Sequence, residues 1–422
     1  MKMIIFKPKH NNMDYFVNCL LPSIEGTINL PTSKSISNRL LIIQSLTSPD
    51  FKIQNISDSD DTRVMLEAFN NQSDTINIHH AGTAMRFLTA FFASNGKKKI
   101  ITGSERMKNR PIAELVDGLN QLGAEIQYLE KEGFPPLQTS GKALKGNILN
   151  INGGISSQFI TALLLIAPTL PEGLTINITG RLISSSYVAL TLGLMKSFGI
   201  SSTWENDSII IPSQKYISKD TFVEGDWSGA SYWYQIAALS KHANIKINGL
   251  TSVSLQGDAA VAVLFEQLGV SSRFSDNAVF LTKTATKCKF FEFDFINNPD
   301  LVQTFVVTLC LMEIPFRISG ADTLRVKETD RILALQQEME KLGYIIKETS
   351  TGVLEWDGII HSMMKNVAIN TYKDHRMALA FAPTALCIKK IIICDAMVVT
   401  KSYPHYWNDL TSVGFEITQK II

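Results

Sequence analysis

Leu264-Phe-Glu-Gln-Leu-Gly269-Val has the form that decides how the chain folds: an amphipathic helix closes on an apolar residue and a glycine, and a strand follows at once. The same phrase recurs as Leu119-Asn-Gln-Leu-Gly123-Ala-Glu-Ile, Leu194-Met-Lys-Ser-Phe-Gly199-Ile, Met339-Glu-Lys-Leu-Gly343-Tyr-Ile-Ile and Leu410-Thr-Ser-Val-Gly414-Phe-Glu-Ile. Glycine suits the left-handed residue that ends a helix. Met65-Leu-Glu-Ala-Phe-Asn70 reads as a degenerate copy with Asn in place of Gly. One copy alone is ordinary punctuation, but recurrence at intervals of about 70 residues, longer than the usual solenoid period, points to about six α/β units. After the glycines come turn-linked strand pairs, such as Ser201-Ser-Thr-Trp-Glu-Asn-Asp-Ser-Ile-Ile-Ile211 and Ser271-Ser-Arg-Phe-Ser-Asp-Asn-Ala-Val-Phe-Leu281. These imply hairpins, hence an α/β chain with mixed sheets rather than one purely parallel sheet.

A chain of 422 residues with 45% apolar composition can bury a large core, and its size favours two domains. The best candidate for a crossing between them is Thr221-Phe-Val-Glu-Gly-Asp226, where a strand meets Gly225 and Asp226 can cap a new helix. Net charge is only +1, with no basic stripe interleaved with aromatics, so nucleic-acid binding is not expected. The start, Met1 to His10, lacks the pattern of a signal peptide, and the longest apolar run, Ile160 to Leu170, is broken by Pro168 and too short to cross a bilayer. The cysteines (Cys19, Cys288, Cys310, Cys387, Cys394) show neither metal-ligand nor disulfide-framework spacing. A reduced, cytoplasmic, soluble protein is expected.

Against this balanced charge, cations stand at expected helix starts: Lys34 in Pro31-Thr-Ser-Lys-Ser-Ile-Ser-Asn-Arg39, Arg86 in Ala81-Gly-Thr-Ala-Met-Arg86, Arg110 before Pro111, Lys327 in Arg325-Val-Lys-Glu-Thr-Asp-Arg331, and Arg376 after Asp374-His. A helix N-terminus bears about half a positive charge, so each placement costs roughly 0.3–1 kcal/mol unless an anion sits there. The chain reads as built around an anionic ligand. Thr32 or Ser33 can cap the first of these helices, with Ser35 and Arg39 on one face. Pro111 suits a first helical position, leaving Arg110 at the helix mouth, and Lys327 and Arg331 fall four apart on an expected helix. Gly82-Thr offers bare backbone N–H groups to a phosphate; Ser156, Ser157 and Gln158, and again Ser184 to Tyr187, offer neutral donors. Arg376 supplies a planar fork for a carboxylate, and Lys401 closes the set. His79 and His80 lack a partner at ligand spacing, so no metal is expected.

In order and spacing these motifs, with Arg106-Met-Lys-Asn-Arg-Pro111 and Ser156-Ser-Gln158, resemble the 5-enolpyruvylshikimate-3-phosphate synthase family over essentially the whole chain. The resemblance implies transfer of the enolpyruvyl group of phosphoenolpyruvate to the 5-hydroxyl of shikimate 3-phosphate, releasing phosphate, on the route to aromatic amino acids. It implies a two-domain enolpyruvyl-transferase fold, each domain three βαβαββ units in an inside-out α/β barrel. Residues 1–31 plus 224–422 would form one domain and 32–223 an inserted one, hinged near 31–32 and 223–226. By motif position Ser156, Ser157 and Ser184 look like ligands of the shikimate 3-phosphate group, with Ser35, Arg39, Gln158, Tyr187, Asp300 and Lys327 lining the rest of that substrate. Lys34, Gly82, Arg110 and Lys401 would face the phosphate of phosphoenolpyruvate, Arg331 and Arg376 its carboxylate, and Gln158 would bind that substrate as well. Asp300 is the expected base, and Glu328 with Lys34 the acid side. No cofactor is implied; a monomer is expected, with an open ligand-free form that closes on its substrates.

The sequence departs from the family pattern at His80 and Phe87, where Asn and Pro are usual, and at Thr323, where an Asn often contacts substrate. Retained Gly82 leads to an expectation of glyphosate sensitivity. The related transferases that act on a UDP-sugar carry a reactive Cys before the phosphate-binding Arg, and Ile101 to Arg110 has none. A binding protein that had lost catalysis would lack the carboxylates, yet Asp300 and Glu328 are present.

Overall fold

The computed structural model describes residues 13–70 and 73–420; the Met1 to His10 stretch lies outside them. The glycines that close the repeated phrase, Gly123, Gly199, Gly269, Gly343 and Gly414, all have φ between +79° and +99°. That conformation strains any residue with a Cβ, which is why the phrase ends in glycine.

Five four-stranded sheets share one connectivity. In the simplest, Thr75–Asn77 lies parallel to Ile100–Thr102, which pairs antiparallel with Leu137–Thr139, itself in a hairpin with Ile126–Tyr128. Ile148–Asn152, Leu174–Thr179, Ser208–Ile211 and Thr203–Glu205 repeat it, as do Phe291–Asp294, Phe316–Ser319, Val353–Trp356 and Lys347–Ser350. Two sheets are assembled from distant segments. Ser23–Asn29 lies parallel to His242–Asn248, and Tyr15–Asn18 sits between Ile391–Ile393 and Glu416–Gln419. The degenerate sixth unit keeps only two paired strands, Ile53–Gln54 and Thr221–Phe222.

The sheets have one wet face, as the alternating exposure of Ile148–Asn152 records. The crossover helices do not. Gly82–Ser94, Ser157–Ile166 and Val302–Leu311 are buried along nearly their whole length, and Ser157–Ile166 packs against both Gly82–Ser94 and Ser185–Ser197. Helices therefore fill the inside and sheets face water, as their polarity demands.

Buried apolar side chains fall into two clusters, one drawn from Val17 to Ile28 and Trp227 to Phe415, the other from Ile36 to Val223. The chain passes between them twice, and the passages are bonded to each other. Ser33 N–H donates to the Glu224 carbonyl (2.9 Å) and Asp226 N–H to that of Pro31 (2.9 Å). Asp226 caps the helix Trp227–Leu239 by accepting from Gly229 N–H.

Candidate active site

The wall contributed by the Ile36 to Val223 cluster is a set of helix starts. Ser33 caps Lys34–Leu46, so Lys34 begins the helix with its ammonium 3.3 Å from Asp61. Burial works against that ammonium, but Asp61 and then Glu328 outweigh it and hold it charged. Arg39 is buried with no carboxylate: it donates to Thr191 Oγ1 (2.8 Å) and to the carbonyls of Ser35 (2.7 Å) and Tyr187 (3.3 Å). Burial pulls it down to about 10. Ser156 caps Ser157–Ile166, Gln158 Nε2 reaches Thr83 Oγ1 (3.3 Å), and Ser184 stands before Ser185–Ser197 with φ +54°.

Three expected helix-start placements are corrected here. Pro111 does not open a helix: Ala113–Gln121 begins two residues later, after Ile112, whose side chain makes no cap bond. A Cβ on Gly82 would meet the Arg110 guanidinium carbon at 3.0 Å, which places that guanidinium over the start of Gly82–Ser94. Lys327 is likewise not helical. Asp330 caps Arg331–Lys341, so the helix begins four residues later and Lys327 and Arg331 are not an i,i+4 pair. Arg86 lies a full turn inside its helix, and its guanidinium bonds the Gly82 (3.2 Å) and Pro111 (3.0 Å) carbonyls.

The facing wall is an ionic lattice around Arg331, which is 1% exposed. Its Nε lies 2.7 Å from Asp374 Oδ2, its Nη1 3.1 Å from Asp300 Oδ1 and its Nη2 2.9 Å from Glu328 Oε2. Glu328 Oε1 takes the Lys401 ammonium, and Asp300 Oδ2 lies 2.9 Å from Arg376 Nη2. Tyr187 O–H crosses from the other wall to donate to Asp300 (2.8 Å). Burial would raise both carboxyls, but Arg376, Lys327 and Arg331 hold Asp300, and Lys401, Arg331 and Arg110 hold Glu328, well below the usual carboxylate range. Lys327 is pushed down by burial.

One cleft is thus lined by Lys34, Ser35, Arg39, Gly82, Arg110, Ser156, Ser157, Gln158, Ser184, Tyr187, Asp300, Lys327, Glu328, Arg331 and Arg376, with Lys401 held to it through Glu328. Its rims touch: Arg106 donates to the Lys327 carbonyl (3.2 Å), Thr400 to Asp60 (3.0 Å), and Ser184 N–H to the Ile296 carbonyl (2.9 Å). The open ligand-free form anticipated from sequence is not the state described, since hydrogen bonds join the walls at these rims and between Tyr187 and Asp300. A separate hollow of about 560 Å³ between Ala238, Cys288, Met312 and Cys387 has, among the described residues, only Lys289 and Glu313 as charged lining.

The sequence reading gave no role to Asp61, Asp374 or His375. Asp374 did carry a signal, since an Asp just before a helix-opening His-Arg is a cap, and it accepts from Arg376 N–H (2.9 Å). His375 is buried, its ring nitrogens find no hydrogen-bond partner among the described residues although Nδ1 lies 3.5 Å from Asp374 Oδ1, and burial followed by Arg376 and Lys401 keeps it neutral. Nothing in a lone His announced that. Thr323 lines the cleft with its buried hydroxyl unbonded.

The sequence profile of EPSP synthase (3-phosphoshikimate 1-carboxyvinyltransferase) matches residues 22–72 and 68–410. The chain belongs to the EPSP synthase family. It is 49% identical over 395 residues to the 3-phosphoshikimate 1-carboxyvinyltransferase of Bacteroides fragilis (strain YCH46), covering 93% of this chain and 96% of that one. It is 35% identical over 427 residues to the Haemophilus influenzae (strain ATCC 51907 / DSM 11121 / KW20 / Rd) protein of the same name, covering 93% and 97%. The solved EPSP synthase of Acinetobacter baumannii shares the fold, with a TM-score of 0.77 at 18% identity, covering 96% of this chain and all of that one. The family's mixed α/β architecture is the one described above.

Proposed function

We infer that the chain transfers the enolpyruvyl group of phosphoenolpyruvate to the 5-hydroxyl of shikimate 3-phosphate and releases phosphate, a step of aromatic amino acid biosynthesis. The observation that carries this reading is the convergence of cations from both walls on one cleft that also holds two partly buried carboxylates, Asp300 and Glu328. A phosphate-release assay tests it: release is expected with phosphoenolpyruvate and shikimate 3-phosphate and not when UDP-N-acetylglucosamine replaces the latter.

The roles follow from the chemistry. The phosphate of shikimate 3-phosphate suits the hydroxyls of Ser156, Ser157 and Ser184, at or beside helix starts whose dipole favours an anion. Arg39, Ser35, Gln158, Tyr187 and Lys327 surround the ring, and Asp300 takes the 5-hydroxyl proton. Lys34, Arg110 and Lys401 take the phosphate of phosphoenolpyruvate, and Arg331 with Arg376 its carboxylate. The vinyl carbon becomes electrophilic when its methylene end is protonated, so an acid must stand there. With Lys401, Arg331 and Arg110 beside it, Glu328 is too strongly ionised to serve. Substrate charge arriving at Lys401, Arg110 and Arg331 competes for the very cations that depress it, so binding raises its pKa and arms it. The same groups reverse roles to expel phosphate from the tetrahedral intermediate.

We place the working domains at residues 1–31 plus 224–422 and 32–223, hinged at the paired passages near 31–32 and 223–226. The two apolar clusters support this division. A monomer is the proposed working unit, since one chain supplies every group named. No described helix is long and apolar enough to cross a membrane. Five free thiols support a reducing, cytoplasmic setting.

Gly82→Ala is expected to push the Arg110 guanidinium off the helix start. The KM for phosphoenolpyruvate should rise about tenfold, as misplacement of a binding group by a fraction of an ångström to an ångström allows, with that for shikimate 3-phosphate within about twofold. Glyphosate should inhibit the parent and inhibit this variant more weakly. Steady-state kinetics with each substrate varied in turn measures all three.

A further inference from the structure

The turn Gln256-Gly257-Asp258 lies where the two apolar clusters meet and has no part in the roles above. Gln256 is buried with every hydrogen-bonding position of its amide taken. Its Oε1 accepts from Ser33 Oγ (2.9 Å) and Trp227 N–H (3.2 Å), and its Nε2 donates to Glu224 Oε1 (2.8 Å) and the Gly225 carbonyl (2.8 Å). Both chain passages are thereby tied to the turn. The Gly257 carbonyl accepts from Asn298 Nδ2 (2.8 Å), two residues before Asp300, and a Cβ on Gly257 would fall 2.5 Å from Ser186 Cβ on the opposite wall. Asp258 is therefore fixed in place. It is 6% exposed and accepts from the Ser228 hydroxyl. Ser228 Oγ lies 3.4 Å from Arg376 Nη2, the same nitrogen that stands 2.9 Å from Asp300.

We propose that Asp258 is a positioning residue for the reaction, orienting Arg376 through Ser228 to receive the carboxylate of phosphoenolpyruvate. The proposal rests on the assignment of Arg376 to that carboxylate. An arginine has no acceptor and can bond only to a lone pair. The Ser228 oxygen presents one to Arg376 dependably when its own hydrogen is engaged elsewhere, and Asp258 engages it. Burial and then Asp300 push the Asp258 carboxyl up to about 7, but in either protonation state one oxygen can accept from Ser228. Without Asp258 the hydroxyl is free to turn its hydrogen toward Arg376, and the guanidinium is left to Asp300 and Tyr232, whose hydroxyl is 3.2 Å away.

The test is a kinetic cycle on the full chain, with phosphate release read while each substrate is varied. Asp258→Ala and Ser228→Ala should each raise the KM for phosphoenolpyruvate about tenfold and leave that for shikimate 3-phosphate within about twofold. Asp258→Asn keeps an acceptor and should stay within about threefold of the parent. The double variant should be no worse than the worse single one, because both cut the same link. Additive losses, equal rises in both KM values, or an unchanged phosphoenolpyruvate KM in Ser228→Ala would overturn the proposal, and Ser228→Ala decides alone if Asp258→Ala does not fold. Arg376→Gln separates the premise. If it leaves the phosphoenolpyruvate KM unchanged, the Arg376 assignment fails; if it raises that KM while the Asp258 and Ser228 variants do not, the positioning role fails.

Discussion

Replacing Glu328 by Gln is expected to lower kcat by about 10²–10⁴, the usual contribution of a positioned proton donor. The fold should survive, because Gln has the same shape and Arg331 keeps Asp374 and Asp300 as partners. The loss should sit in kcat. Glu328 engages the Lys401 ammonium and one nitrogen of Arg331, cations assigned to phosphoenolpyruvate. A neutral amide competes with the substrate less, so the KM for phosphoenolpyruvate should stay level or fall. Turnover within a fewfold of the parent at saturating substrates would remove Glu328 from the acid role.

Arg331→Met should damage stability and activity together. Arg331 is buried among Asp374, Glu328 and Asp300, and burial of its charge is repaid by those three carboxylates. Breaking a buried ionic group by removing one partner costs about 3–5 kcal/mol, since the other charges are left uncompensated. Denaturant midpoints at a series of pH values measure this. In the parent, Glu328 and Asp300 titrate well below the ordinary carboxylate range. Their contribution is complete above that range and is lost as pH falls through the folded-state values. In the variant both carboxyls lose a cation and titrate higher, so acidification can neutralise them. The stability gap should therefore be widest at neutral pH and shrink in acid. A gap that stayed constant with pH would mean that the lattice is not held by charge. With the fork gone, kcat should also fall by about 10²–10³, as when a donor aimed at developing charge is removed.

How much of this was legible beforehand depended on whether the signal was local. Gly269 and its counterparts announced themselves because a left-handed residue ends each helix, and that requirement is written in the residue itself. The hairpins after Gly199 and Gly269 were legible for the same reason. Lys34, capped by Ser33, and Arg376, capped by Asp374, stand at helix starts as read. Arg110 and Lys327 do not, because tertiary contacts chose their places: the first serves the helix at Gly82, 28 positions back in sequence (110 − 82), and the second ends a short helical turn before Asp330 opens the next. The sixth unit was visible only as a missing glycine. Its reduction, among the described residues, to two short strands depends on Thr221–Phe222 arriving from far along the chain, which no local pattern encodes. Partnerships between walls, such as Tyr187 with Asp300 and Gln256 with Ser33, were hidden for that reason too.

The central claim is that cations from both halves meet around two anionic reactants in one cleft. A crystal structure of the chain with shikimate 3-phosphate and inorganic phosphate tests it most directly. The sugar phosphate should lie on Ser156, Ser157 and Ser184, with the free phosphate between Lys34, Arg110 and Lys401. Density for either ligand elsewhere on the molecule, or a cleft that holds neither ligand at saturating concentration, would contradict it.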